Sequence, residues 1–291
     1  SGWAFFEGFY LHHNLARYGN AMEGHSGGIF YYALVAPLLL MPFSGWFLGV
    51  LGNLGALRRD PLDRFVWLWF FSVLVVFSFS GTKLPHYMLY GVTGVVLLMA
   101  RYRDGLRSPW LGFVPALLFL GVLSALPQLF ATLAQTTGRD YDRGLFEAGA
   151  QSFGGWPQLL CVSALLMAVL ILFLPLTVWR RLLLIGYVQA ALVGGLIVPT
   201  VLDVLQAGPK AAGLFAREQE KDVVFYRVYQ PSVSVYRQQV TTHAPAKPGQ
   251  WVYVRTDHVA EYLAQPSPYR KHIVFSRPPA TLIAVDGKAG D

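Results

Sequence analysis

A lysine and a histidine lie close together between two strongly apolar stretches, in the sequence FSFSGTKLPHYMLYG at residues 77–91. Lys83 and His86 stand beside a predicted helix start, where free backbone N–H groups and the positive end of the helix dipole favour anions. Tyr87 adds a hydroxyl donor. These residue types predict a phosphate site. The alternative is a lysine whose ammonium reaches out of the membrane among interfacial tyrosines.

A second polar cluster lies near the start of the chain, in the sequence FFEGFYLHHNLARYGNAMEGHSGG. His13 and Arg17 are four residues apart and share a face if this segment is helical, whereas His12 points about 100° away. A guanidinium gives a phosphate bidentate, charge-assisted hydrogen bonds. Arg17 and one histidine could therefore bind the same ligand. There are two alternatives. One is an interfacial helix that only contacts lipid headgroups. The other is a metal site, for which the two adjacent histidines are poorly spaced.

Paired carboxylates occur in a third polar stretch, TGRDYDRGLFEAGAQSFGGW, at residues 137–156. Asp140 and Asp142 could supply a general base. Their alternation with Arg139 and Arg143 is more typical of a solvated loop that pairs with itself. The chain contains no P-loop, no dinucleotide glycine motif, no cysteine and histidine array for zinc and no GxSxG elbow. Nucleic acid is not expected as a partner, because the basic residues form no contiguous patch outside short loops.

The composition predicts a membrane protein: 54% of the 291 residues are hydrophobic, only 13% are charged, and the mean hydropathy is +0.43. Apolar stretches close to the roughly 20 residues of a spanning helix recur along the first two thirds of the chain. The predicted spans are 29–52, 65–81, 85–100, 110–134, 157–178 and 182–204. The fold class expected is thus an α-helical membrane protein with about six transmembrane helices followed by a small external α/β domain.

The loops between these spans differ in charge. Arginines concentrate in loops 53–64, 101–109 and 179–181, which the positive-inside rule places in the cytoplasm. The segment 77–91 then faces the opposite side. The expected domains are an external juxtamembrane segment at 1–28, a transmembrane domain at 29–205 and an external α/β domain at 206–291.

The last part of the chain changes from apolar to mixed character. Strand-like runs are VVFYRV, SVSVYR, WVYVRT, HIVFSR and TLIAVD. Helices are expected at 209–221 and at 258–265, the latter with Asp257 as its N-cap. These alternating patterns predict a small α/β domain.

Two stretches together resemble a known family. FFEGFYLHHNLARY before one apolar span, and SGTKLPHYMLYG after the next, resemble the polyprenyl-phosphate-dependent membrane glycosyltransferases of the GT-C type. The likeness is to the bacterial branch that includes the lipid A 4-amino-4-deoxy-L-arabinose transferases; the protein O-mannosyltransferases are more distant. It covers roughly residues 1–205, and the α/β tail is also similar to that branch.

The resemblance implies an enzyme of the bacterial inner membrane, with its C-terminal domain in the periplasm. The enzyme would move a sugar from a polyprenyl phosphate to lipid A, or to another glycan or protein acceptor. The residues implied at the donor phosphate are Arg17, Lys83 and Tyr87. The residues implied to line the same cavity are His12, His13, Asn14 and His86. No cofactor is implied with certainty, and a divalent metal held by one of the histidines is left open.

The resemblance also implies that part of the catalytic machinery lies elsewhere. The sequence opens without an initiator methionine or a signal peptide. The catalytic carboxylate is therefore expected upstream of Ser1, and this fragment is expected to be inactive alone.

Two other function classes compete with the transferase. A fragment of a lipid or sugar transporter or flippase would show polar interruptions near the middle of its spans. In this sequence the polar clusters lie at the external ends instead, which favours chemistry at the membrane surface. A membrane subunit with an external interaction domain would leave Lys83 and Arg17 without a role.

Overall fold

The structure is a computed structural model that describes residues 2–9, 27–52, 54–55, 60–105 and 108–288. The chain forms two compact units. The first comprises residues 1–121 and 163–190, and the second comprises residues 122–162 and 191–291.

Helices dominate the described chain up to residue 218. They are α1 (Gly2–Phe5), α2 (Tyr31–Leu39), α3 (Ser44–Leu51), α4 (Pro61–Ser78), a 3-10 turn (Pro85–Met88), α5 (Leu89–Arg101), α6 (Pro109–Ser124), α7 (Leu126–Thr136), α8 (Asp140–Phe153), α9 (Trp156–Leu172), α10 (Val178–Leu192) and α11 (Val198–Glu218). A π-helical turn, Val193–Ile197, joins α10 to α11.

The predicted helical character is confirmed and the described chain contains candidate membrane spans, but the count of six spans is not confirmed. In the described chain, two helical stretches are long and apolar enough to cross a membrane, Pro61–Ser78 and Val178–Glu218. Two bent pairs raise the number to four if each pair is one span: α6 with α7, bent by 63°, and α8 with α9, bent by 66°. The predicted span 29–52 consists of the short helices α2 and α3. Pro42 lies between them, where a residue without an N–H does not continue a helix.

A buried carboxylate ties the start of α4 to the end of α5. Asp60 caps α4 by accepting from the N–H groups of Leu62 at 2.8 Å and Asp63 at 3.2 Å. The Asp63 side chain is fully buried, lies 3.4 Å from the Arg101 guanidinium and accepts a hydrogen bond from the Tyr102 hydroxyl. The same arginine also pairs with Asp60. Arg101, which the charge pattern of the sequence marks only as part of a cytoplasmic loop, is therefore part of a structural network.

The second unit contains a four-stranded sheet. Its strands and helices are β1 (Val223–Tyr226), α12 (Pro231–Arg237), β2 (Trp251–Arg255), α13 (Val259–Ala264), β3 (Tyr269–Arg277) and β4 (Ala280–Lys288). The order across the sheet is β1-β2-β4-β3, with β1 and β2 parallel and the other pairs antiparallel. Residues alternate between two apolar cores: Phe225 and Tyr253 pack with Ala212 of α11 and Val233 of α12. The opposite face packs on Tyr262 of α13.

One strand predicted from the sequence is wrong. SVSVYR lies in the helix α12, which Pro231 begins at its first position, where a missing N–H costs nothing. Arg237 ends this helix, buried, and its guanidinium donates to the carbonyls of Val223 at 3.2 Å and Val240 at 3.0 Å. A helix here joins β1 to its parallel neighbour β2, because parallel strands need a crossover connection. The other four predicted strands coincide with β1 to β4.

Three further expectations change in detail. The predicted loop at 137–156 contains the helix α8, in which Arg143 pairs with Asp140 at 3.2 Å; Arg139, just before it, pairs with Asp142 at 2.9 Å. The helix expected at 209–221 is the C-terminal part of α11, which begins at Val198 and ends at Glu218. The N-cap of α13 is His258, not Asp257, which pairs with an arginine instead.

The Asp63 network gives a prediction for stability. Replacing Asp63 with alanine should lower the thermal unfolding temperature of the purified protein in detergent by several degrees, because a guanidinium and a tyrosine hydroxyl lose a buried partner, a loss worth about 2–4 kcal/mol. The matched control is Asp104→Ala, which removes an exposed partner 3.6 Å from Arg103 and should change the temperature by less than about one degree. Equal shifts in the two variants would show that the network does not hold α4 and α5 together.

Candidate functional site

The turn between α4 and α5 is fixed by a tyrosine that is distant in the sequence. The Tyr32 hydroxyl donates to the Leu84 carbonyl and accepts from the Leu84 N–H, both at 3.0 Å. The side chain of Tyr32 is fully buried. Leu84 directly precedes the 3-10 turn that Pro85 begins, so one phenol fixes the backbone of the LPHY sequence to α2.

Lys83 binds the C-terminal end of α4. Its ammonium donates to the carbonyls of Phe77, at 3.2 Å, and of Ser78, and it lies 5.8 Å from the centre of the Tyr32 ring. The terminal carbonyls of a helix have no partners within it and carry partial negative charge, so they favour a cation. Lys83 is only 5% exposed, and burial lowers the pKa of its ammonium. An ammonium has three donors, so one remains for a further acceptor.

The segment that follows the histidines and Arg17 lies against Lys83. A Cβ atom at Gly27 would come within 3.0 Å of Lys83 Cγ and 3.3 Å of the Tyr31 ring, so only a small residue fits there without a shift. Gly27 is ten positions after Arg17. Gly27 therefore lies against the second predicted phosphate-binding segment.

The outer side of the turn presents a histidine and a tyrosine. The Tyr87 ring stacks on Phe77 with ring centres 4.8 Å apart, and the exposed His86 ring meets Tyr87 edge-on at 4.8 Å. Tyr90, on α5, also stacks on Phe77 at 6.4 Å and is 63% exposed. The arrangement gives a polar, aromatic rim beside a buried ammonium.

Part of the predicted site lies outside the described residues. Those members are Arg17, His12, His13 and Asn14. Their place at a phosphate, and the pairing of Arg17 with Lys83, stay predictions. Among the residues that the structure does describe, no three metal-ligating side chains come together. The two adjacent histidines, to which the metal alternative applied, are not among them.

The described fold is similar to two crystal structures of ArnT from Cupriavidus metallidurans. The structure bound to undecaprenyl phosphate has a TM-score of 0.57 and 15% sequence identity, over 96% of this chain and 55% of that chain. The apo structure gives a TM-score of 0.58 and 16% identity over the same shares. The chain has the ArnT fold. No protein-family model and no curated protein sequence matches it.

The likeness to ArnT confirms the resemblance to the GT-C lipid A arabinose transferases at the level of fold. A sequence identity of 15–16% supports a similar fold but does not show that the chemistry is the same. The chain also spans only about half the length of each ArnT chain, so an ArnT-like activity has to be argued from the site.

Sequence reasoning missed Tyr32. It lies in a run of apolar and aromatic residues, GGIFYYALV, where a second tyrosine is typical of a membrane interface. Its partner is 52 positions away, so no local pattern marks it. The only local signal was the turn predicted at Pro85, whose backbone needs hydrogen-bond partners from another segment.

The role of Tyr32 can be tested by removing its hydroxyl. Tyr32→Phe should leave the ring in place but break both hydrogen bonds to Leu84, so the turn should open more often. Hydrogen exchange of the peptide 79–90, measured by mass spectrometry on the protein in detergent, should speed up by roughly tenfold, since two hydrogen bonds contribute about 1 kcal/mol each or less. Tyr31→Phe is the control, because the Tyr31 hydroxyl bonds no described residue. Unchanged exchange in Tyr32→Phe would contradict the anchoring role.

Proposed function

We propose that this chain forms the donor-phosphate half of a membrane glycosyltransferase that moves a sugar from a polyprenyl phosphate to an acceptor. The observation that carries the proposal is the likeness, over 96% of the chain, to an ArnT structure bound to undecaprenyl phosphate. The buried ammonium of Lys83 at a fixed turn supports it, because such a group suits a lipid phosphate at the membrane surface.

The chemistry follows from the donor. An acceptor oxygen attacks the anomeric carbon, the bond between that carbon and the phosphate oxygen breaks, and polyprenyl phosphate leaves with the bonding electrons. Negative charge grows on the leaving phosphate, and fixed cations stabilise it. We assign this role to Arg17 and Lys83, with Tyr87 as a further donor. The donor already carries its activation in the sugar–phosphate bond, so the site needs no nucleotide.

The remaining predicted residues line the cavity in this proposal. His86 is exposed on the rim of the turn, next to Tyr87. His12, His13 and Asn14 join it from the N-terminal segment. A carboxylate takes the proton of the acceptor. Asp140 and Asp142 are poor candidates, because each is already paired with an arginine.

The proposed location is the bacterial inner membrane, with the α/β domain in the periplasm. One set of helix ends is rich in arginine, which the positive-inside rule assigns to the cytoplasmic side. Two of these arginines, Arg103 and Arg180, lie over the Trp179 ring, at 5.6 and 5.2 Å. Lipid A is the proposed acceptor because the arabinose transferases of the same fold suggest it. Another glycan or a protein would use the same donor site.

A transfer assay on membranes that contain the protein tests the proposal. Lys83→Met and Arg17→Ala should each lower kcat for transfer from a polyprenyl-phosphate sugar by about 100-fold or more, as expected when a group that stabilises a leaving anion is lost. Lys83→Arg should retain more activity than Lys83→Met, since it keeps the charge. The product is measured by mass spectrometry of the extracted acceptor.

The control for this assay is Lys210→Met, at an exposed position of α11, which should transfer as the unmodified protein does. All variants should insert into the membrane in equal amounts. Full transfer by both Lys83→Met and Arg17→Ala would contradict the phosphate assignment. A protein that moves the lipid across the membrane but yields no transferred sugar would instead favour the transporter alternative.

A further inference from the structure

A polar cavity of about 340 Å³ lies in the second unit, at the carboxyl ends of its two parallel strands. β1 ends at Tyr226 and β2 at Arg255. The loop after β1 contributes residues 227–230 to the lining, and β2 itself contributes Tyr253 and Arg255. In open α/β sheets, ligands bind in the crevice outside the carboxyl ends of parallel strands. The polar lining residues are Tyr141, Arg227, Tyr229, Gln230, Tyr253 and Arg255.

Two helices beside the cavity pack closely on the turn between β3 and β4. A Cβ atom at Gly208 of α11 would come within 2.7 Å of the Arg277 carbonyl oxygen and 2.9 Å of the Pro279 side chain. A Cβ atom at Gly144 of α8 would come within 2.7 Å of the Pro278 side chain. Both helices therefore rest directly on the turn between β3 and β4. The cavity is preformed, which lowers the cost of binding a ligand.

A tyrosine of β2, Tyr253, contributes its side chain to the cavity. Tyr253 is 2% exposed and belongs to the lining, and within residues 108–288 its hydroxyl has no hydrogen-bond partner. The hydroxyl does not belong to the buried polar atoms that lack a partner, so it is open to solvent and available to a ligand. Burial raises the pKa of the Tyr253 phenol, so it stays neutral at physiological pH and can both donate and accept.

The two arginines of the lining are already neutralised. Arg255 binds both carboxylate oxygens of Asp257, with its Nε at 2.6 Å, and lies over the Tyr141 ring at 4.6 Å. The hydrogen bonds from Arg255 lower the pKa of Asp257, so this carboxylate is charged. Arg227 pairs with Glu261. The cavity thus offers several fixed N–H donors without a surplus of positive charge, which suits a neutral polar ligand better than an anion.

The loop after β1 shapes the entrance. Arg227 has a φ of +49°, a left-handed conformation that costs a residue with a side chain about 1 kcal/mol or more. This bend is followed by Tyr229 and Gln230, and the Tyr229 ring is 75% exposed. An exposed aromatic face beside hydrogen-bonding groups matches a sugar, whose ring has an apolar face and hydroxyls around its edge.

We propose that this cavity binds a neutral saccharide, with one sugar ring against Tyr229 and its hydroxyls bonded to Tyr253, Gln230 and the free N–H groups of Arg255. A volume of about 340 Å³ is at the lower end of small-molecule pockets, which suits one or two sugar rings. The proposal uses neither Lys83 nor Arg17 and stands whether or not the chain transfers a sugar.

Saturation-transfer NMR on the whole chain tests this site, in a detergent without a sugar headgroup. The probes are methyl α-D-mannopyranoside, methyl β-D-glucopyranoside and the methyl glycoside of N-acetylglucosamine. At least one should bind saturably. Tyr253→Phe removes only the hydroxyl and should raise the dissociation constant about fivefold or more, as the loss of one hydrogen bond predicts.

The matched control is Tyr262→Phe, which removes a hydroxyl from a buried tyrosine on the other face of the sheet and should leave binding unchanged. Gln230→Ala, at the N-cap position of α12, is an independent variant and should weaken binding too. The proposal is overturned if none of the three probes binds saturably, or if Tyr253→Phe and Gln230→Ala bind as the unmodified chain does. Displacement of the sugar by inorganic phosphate at equal concentration would overturn it as well, in favour of an anion site.

Discussion

The two-way hydrogen bond between Tyr32 and the backbone of Leu84 is the constraint on which the account of the donor site depends. It joins α2 to the turn after α4, and the same tyrosine ring lies beside the ammonium of Lys83. A turn held in this way keeps Lys83 at the end of α4 before any ligand arrives. Charged groups that are fixed in advance need no reorganisation when charge develops in the transition state. This saving is the main source of their effect on the reaction rate.

The two polar sites differ in how their cations are neutralised, and this difference decides what each can bind. Among the described residues, no carboxylate pairs with Lys83, whose ammonium contacts two carbonyls and the Tyr32 ring, so its charge is not neutralised and attracts an anion. Arg227 and Arg255 each have a carboxylate partner and attract no further charge. This difference supports the two proposals, that of a phosphate at Lys83 and that of a neutral sugar in the second unit.

Sequence patterns predicted the features that depend on neighbouring residues in the chain. Hydrophobicity predicted a helical membrane protein, residue alternation predicted four strands, and Pro85 predicted a tight turn at LPHY. The predictions that failed concern contacts between segments that are far apart in the sequence. α12 is a helix because a parallel pair needs a crossover, although its SVSVYR residues alternate like a strand. Tyr32 and Tyr253 act through partners or cavities built from segments that are far apart in the chain, and no window of sequence contains both halves.

Photolabelling with a polyprenyl phosphate that carries a diazirine next to its phosphate tests the central claim most directly. The account predicts that the label reaches the peptide 79–91 and that unlabelled undecaprenyl phosphate prevents it. The first unit also has an apolar cavity of about 570 Å³ beside Trp179 and Arg180, which could take a lipid nonspecifically. Label confined to that cavity, with none on peptide 79–91, would contradict the assignment of Lys83 to the donor phosphate.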